Sequence, residues 1–214
     1  MNAKWTKKRP HPRGPASNSG RAMRTKQRKP MSVTFIRTGE RRYAVRATTA
    51  DGQAVQMDPA PGYDPLMPHD LQHFIVERCL GIEGGIFGRL AAGGTAGTFH
   101  ATATGGDARE ASRRRRKRAA RDGRLMPSLA DDYARSERAT YVCWHDWLAH
   151  SDRPESRARA VGMREGAAGM LARMPPRERA EYSERKRAEI RREFQRLSER
   201  WTTLAVGESF TEPW

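Results

Sequence analysis

The stretch Pro68–Gly81, PHDLQHFIVERCLG, narrows the choice of fold more than any other part of the chain. At about 100° per residue a helix here places His69, Asp70, His73 and Glu77 in one narrow polar stripe. Leu71, Phe74, Ile75 and Cys79 cover the opposite side, and Val76 and Leu80 flank the stripe. A helix that is apolar on both sides of so narrow a stripe must be buried over most of its girth, so the chain has to build layers around it. Pro68 suits a first helical turn, where its missing N–H costs nothing. Asp70 puts negative charge near the positive end of the helix, and Gly81 is a natural stop. The stripe residues, carried inward, then need partners, because an unpaired buried polar group is costly.

The stripe is also the place where site chemistry falls at a meaningful spacing. Histidines at i and i+4 aim two imidazoles at one point, and a glutamate at i+8 lies one turn further along the same face. The candidate metal ligands are therefore His69, His73 and Glu77, with Asp70 as an orienting or catalytic base. The ion implied is Zn²⁺ or a similar first-row divalent metal, and the reaction hydrolytic. The competing reading is structural: the stripe caps, bonds backbone or faces solvent. The stripe resembles the zinc-protease helix HExxH, but Asp70 stands where that motif carries its glutamate base, and the shorter side chain argues against proteolysis. His69-Asp70 is also similar to the HD-type phosphohydrolase pair. That signature needs a histidine on an earlier helix, whereas the preceding chain reads as strands. His145, at the edge of a later helix, is the best further ligand from another element; Cys143 and His150 project elsewhere on that helix.

Around this helix the pattern predicts an α+β domain. Ser32–Arg37 is β-branched and aromatic, Thr38-Gly39 turns the chain, and Arg41–Thr48 alternates with Tyr43, Val45 and Ala47 on one face. Asp51-Gly52 signals a hairpin, and Gln53–Met57 turns Val55 and Met57 inward. This is a small antiparallel meander, apolar on one side. The glycines of 82–94, IEGGIFGRLAAGG, invite a phosphate-loop reading. No Lys-Ser/Thr follows and no strand precedes, so close packing of backbone on the focal helix is the better account. A helix is predicted to start at Ser128, which forms a weak capping box with Asp131, and to run to about His150. Pro154–Met174 reads as a short helix or pair of turns, and Arg177–Trp201 as the longest helix. Ser209–Trp214 alternates, and Pro213 suits an edge strand. Helices then pack on one face of the sheet.

Charge divides the chain. Residues 1–30 carry ten basic residues and no acid, and 107–124 carry nine against three, which together account for the whole net charge of +16. The segments between are nearly neutral. Residues 1–30 read as a disordered basic tail, 31–94 as meander and focal helix, 95–127 as a basic linker or insert, and 128–214 as the part that completes the same domain. Two cysteines, with no CxxC spacing, suit a reducing, cytoplasmic setting. No apolar run is long enough to span a membrane.

The meander, the Pro68–Gly94 segment and the C-terminal helix running into a Trp-ended strand resemble a group of bacterial proteins of unassigned function. The resemblance covers roughly residues 31–95 and, more loosely, 190–214. It implies a small stand-alone cytoplasmic domain and brings no activity with it.

Besides the metal-binding, hydrolase-like reading, the charge pattern supports a non-catalytic protein that contacts nucleic acid or an acidic partner through 1–30 and 113–124. With no aromatic residue interleaved in the arginine run, stacking has no platform, so such contact is nonspecific. Binding to duplex DNA should weaken steeply with salt by counterion release. Deleting 1–30 and neutralising Arg113–Arg118 should remove most of it. Sequence-selective binding that survives both changes would contradict this.

Overall fold

Alternation of apolar and polar residues after Met31 produces three antiparallel strands, β1 (Ser32–Gly39), β2 (Arg42–Thr48) and β3 (Ala54–Ala60). They are seen in a computed structural model that describes residues 30–50, 52–102 and 108–214. The expected basic tail, apart from Pro30, and Asp51 of the expected hairpin lie outside the described residues. The first turn falls at Glu40-Arg41, just beyond Thr38-Gly39, because β1 continues to pair through Gly39. Val33, Phe35, Tyr43, Val45, Ala47 and Val55 are fully buried, so one face of the sheet carries the core.

The focal helix is α1 (His69–Leu80), followed by a short α2 (Ile86–Ala91) and a two-residue strand β4 (His100–Ala101). Gly81 adopts a left-handed φ of 62° and its N–H closes on the Glu77 carbonyl, the stop that a residue with a Cβ resists. Every residue from Asp70 to Glu77 is buried. Phe74 sits at the centre of an aromatic cluster, with ring centroids 5.7 Å from Phe35, 5.3 Å from Phe87 and 5.7 Å from Trp214.

The rest of the chain supplies α3 (Ala108–Ala149), α4 (Pro154–Arg173), α5 (Pro176–Ala180), α6 (Glu184–Thr202) and β5 (Ser209–Pro213). Besides α4, which is one 20-residue helix rather than a short helix or a pair of turns, the structure differs from expectation here in two places. The basic segment read as a linker is largely helical: α3 starts at Ala108 and passes through Ser128 without a break. Alanine and arginine are strong helix formers, and their propensity outweighs the weak capping signal. The 42 residues of α3 make it the longest helix, about 60 Å at 1.5 Å per residue. One arginine of the run is turned inward. Arg118 is buried and donates to Gln53 Oε1 at 2.9 Å and to the Gly94 carbonyl at 3.4 Å, anchoring α3 to the sheet side of the domain. Second, the helix expected over Arg177–Trp201 is broken. Ser183 caps α6 by accepting the Lys186 N–H, and Glu181, in the break, pairs with Arg135 of α3 at 2.5 Å.

The sheet order is β4-β3-β2-β1-β5, antiparallel throughout, with β5 on the free side of β1 and Phe210 opposite Phe35. The architecture is α+β, a five-stranded sheet with helices packed on one face. One hydrophobic core runs from Met31 to Phe210 and includes residues of α1, α2, α3, α4 and α6, so the first and last strands share it. Among the described residues no helix is long and apolar enough to cross a membrane. Truncation of Phe74 to Ala should cost about 3–5 kcal/mol, the usual penalty for emptying an aromatic site in a core. Val161→Ala, at an exposed position, should cost less than about 0.5 kcal/mol. Urea denaturation of both variants checks this.

Candidate metal centre

The helical spacing that sets His69 and His73 one turn apart also stacks their rings edge to face, with centroids 4.5 Å apart. His69 is exposed at the start of α1, whereas His73 is completely buried. Across from them α3 presents Glu137, whose carboxylate Oε2 lies 3.6 Å from His73 Nε2. One ligand atom from each of His69, His73 and Glu137 falls within 4.8 Å of the other two. His73 Nε2 has no hydrogen-bond partner among the described residues. At 3.6 Å the carboxylate is too far for a true hydrogen bond. The other ring nitrogen, Nδ1, is well served, 2.8 Å from Ser136 Oγ and 3.2 Å from Thr140 Oγ1. Burial, helped by the charge of His69, pushes His73 down to about 3, so its imidazole is neutral at any ordinary pH.

Glu77 lies behind this cluster rather than in it. Its Oε1 accepts the Ile86 N–H at 2.8 Å and the Ser136 hydroxyl at 2.7 Å, and its Oε2 accepts the Phe87 N–H at 2.9 Å. The carboxylate thus closes the N-terminus of α2, whose first amide groups lack intrahelical partners. Gly85 makes this approach feasible, since a Cβ there would sit 2.2 Å from the Glu77 carboxyl carbon. The glycine-rich segment therefore serves close packing on α1. Burial raises the Glu77 pKa to about 7, against the opposing pull of its hydrogen bonds from Ser136, Phe87 and Ile86.

Asp70 is adjacent to His69 in sequence but turns away from the cluster. Its carboxyl meets the Tyr43 hydroxyl beneath the sheet, and that hydroxyl also contacts the Pro61 carbonyl. Burial raises the Asp70 pKa, against the opposing pull of the Tyr43 hydroxyl and of the nearby His69. Turned to Tyr43, the carboxyl is not placed to act as a base at the cluster. His145 stands eight residues beyond Glu137 on α3, about 12 Å along the helix axis, and is not part of the cluster. Of the sequence candidates, then, His69 and His73 come together, while Glu77, Asp70 and His145 do not join them.

Glu137, Ser136 and Thr140 were not legible as site residues. They sit in YARSERATY, where polar residues between arginines look like a solvated face. The single sequence signal is that Ser136 and Thr140, four apart, flank the apolar Ala139 on a helix otherwise rich in charge.

Beside the cluster opens a cleft of about 440 Å³. Its walls are Tyr63, Tyr141, Trp144, Met163 and Met170, and both His69 and Glu137 face it, whereas His73 does not line it. Apolar walls with a few convergent polar groups are the usual make-up of a small-molecule site. Compared with known proteins, the chain matches no family model, no curated protein and no solved structure.

The two buried groups pull stability in opposite directions with pH. The neutral form of His73 is favoured by folding, so its contribution grows as pH rises from about 3 to 6.5. The protonated form of Glu77 is favoured by folding, so its contribution is full below 4.5 and is lost as pH rises through about 7. Comparison with Glu77→Gln isolates the second effect. The stability of wild type relative to this variant should fall by on the order of 3 kcal/mol between pH 4.5 and pH 8 in urea titrations. A pH-independent difference would show that Glu77 has the same pKa in the folded and the unfolded chain.

Proposed function

We propose that this domain binds a first-row divalent transition metal through His69, His73 and Glu137 and uses it for hydrolysis of a small molecule held in the adjoining cleft. The observation that carries this reading is the Nε2 atom of His73. It is fully buried, lacks a hydrogen-bond partner among the described residues, and faces a second imidazole and a carboxylate. Buried polar groups are nearly always satisfied, and one that is not calls for an explanation such as an ion. Two imidazoles and one carboxylate make a donor set suited to Zn²⁺, and three protein ligands leave a position open. A metal of this kind supplies a bound water of lowered pKa and polarises an acyl or phosphoryl oxygen. The chain's own residues would do the rest. His69 and Glu137 border the cleft, so an open position would be reached from it. Trp144, Tyr141, Met163 and Met170 offer apolar surface to the body of a substrate and exclude water from that side.

Zn²⁺ competition titration and elemental analysis of protein made without a histidine tag test the reading. Wild type should take up one metal per chain. His73→Ala should lose it, and a chelator should lower the melting temperature of wild type while leaving this variant nearly unchanged. No uptake of Zn²⁺, Mn²⁺, Fe²⁺ or Ni²⁺ by wild type would end the metal reading.

A second reading has one observation in its favour. On α3 the exposed Arg109, Arg113, Arg116, Lys117 and Arg124 fall within an arc of about 100°, opposite the buried Arg118. A basic face of this kind fits the phosphate backbone of nucleic acid without base readout. Neutralising it is best done with the anchoring Arg118 left in place.

A further inference from the structure

We propose that Glu77 and Ser136 are positioning residues for the metal centre: together they hold His73 in the tautomer whose Nε2 lone pair points at His69 and Glu137. The inference rests on the metal reading above and goes beyond it by assigning work to two residues that touch no ligand position.

Both oxygens of Glu77 accept backbone N–H groups at the start of α2, at 2.8 and 2.9 Å, so the carboxylate is already oriented as an acceptor. Ser136 has a single hydroxyl hydrogen, and Glu77 Oε1, 2.7 Å away, takes it. Its oxygen is then left with lone pairs only towards His73 Nδ1, 2.8 Å away. Two acceptors cannot face each other at that distance, so Nδ1 carries the hydrogen and donates it to Ser136. Thr140 Oγ1, at 3.2 Å from the same nitrogen, is a second and longer acceptor for it. A neutral imidazole protonated at Nδ1 is bare at Nε2, the atom for which the described residues provide no partner. The direction runs from α2 to Glu77, to Ser136, to His73, and ends on the lone pair that a metal would take.

This arrangement is an indirect form of the carboxylate–histidine–metal pattern, in which the partner of the second ring nitrogen fixes tautomer and ring orientation. Here a serine hydroxyl is interposed because α1 carries both His73 and Glu77. Their side chains lie side by side, with Nδ1 and Oε1 3.8 Å apart, too far to bond directly. Ser136, arriving from α3, bridges the gap. The Glu77 negative charge, added to that of Glu137, would also balance a divalent cation between two neutral imidazoles, which favours a dication of the Zn²⁺ type over a monovalent ion. The same geometry explains why Gly85 must lack a side chain: displacing Glu77 would turn the serine loose.

The test uses the full chain at pH 8 with ¹⁵N-labelled histidine and no metal. Long-range ¹H–¹⁵N correlation spectra report which ring nitrogen of His73 is protonated, and a Zn²⁺ competition titration follows on the same samples. Wild type should show hydrogen on Nδ1 and none on Nε2. Ser136→Ala should lose that preference and weaken Zn²⁺ binding by about 10- to 100-fold, and Ser136→Thr, which keeps the hydroxyl, should recover most of it. A wild-type His73 protonated at Nε2 would overturn the proposal, and this measurement needs no variant to fold. So would a folded Ser136→Ala that keeps both tautomer and affinity. Wild type with Nδ1 protonated but no Zn²⁺ uptake would instead sink the metal reading, and the positioning role with it, while leaving the hydrogen-bond assignment intact.

Discussion

A carboxylate buried among three helices holds this domain together. Glu77 accepts from two amides of α2 and from Ser136 of α3 while its own backbone belongs to α1. Left unpaired, such a group would cost several kcal/mol. Paired as it is, it sets how close α2 and α3 come to α1 and so where His73 and Glu137 meet. Several features of the candidate centre follow from that arrangement: the glycine at 85, the serine at 136, and the His73 Nδ1 held against Ser136.

The second constraint lies at the sheet edge. Glu212 of β5 is buried, and burial alone would raise its pKa, yet Arg196 at 2.9 Å, with Arg200 and Arg78, holds it below the ordinary carboxylate range. Arg196 and Arg200 come from α6 and Arg78 from α1, so one carboxylate joins the last strand to two helices. Arg78 and Arg196 also pair with Glu193. This cluster places β5 against β1 and, through Phe210 and Trp214, closes the aromatic group around Phe74. Because its members are partly exposed, the cluster contributes registry more than stability.

A further property follows from where charge is allowed. Buried charged groups are met by partners, as at Glu77, Glu178, Glu212 and Arg118. Arg109, Arg113, Arg116, Lys117 and Arg124 stand in water, which a long helix permits by turning one side outward. The described arginines of the run accordingly divide into a buried anchor and an exposed face.

Much of this was written in local pattern. Alternation specified the meander and β5, and Pro68 and Gly81 bounded α1. The apolar flanks of the polar stripe already required that helix to be central, because period and side-chain polarity are local properties that survive any packing. The i,i+4 spacing likewise put His69 and His73 together, since one turn of helix does so by itself. What completes the site comes from sixty residues away. Glu137 and Ser136 look like surface residues of an arginine-rich helix, and only the docking of α3 on α1 gives one of them to the cluster and the other to Glu77. Glu77 shows the same limit from the other side: its spacing admits a third ligand, but the two amides at the start of α2 compete for its oxygens and win. Helical periodicity fixes which residues share a face, whereas the partner each one meets is settled by which element packs there.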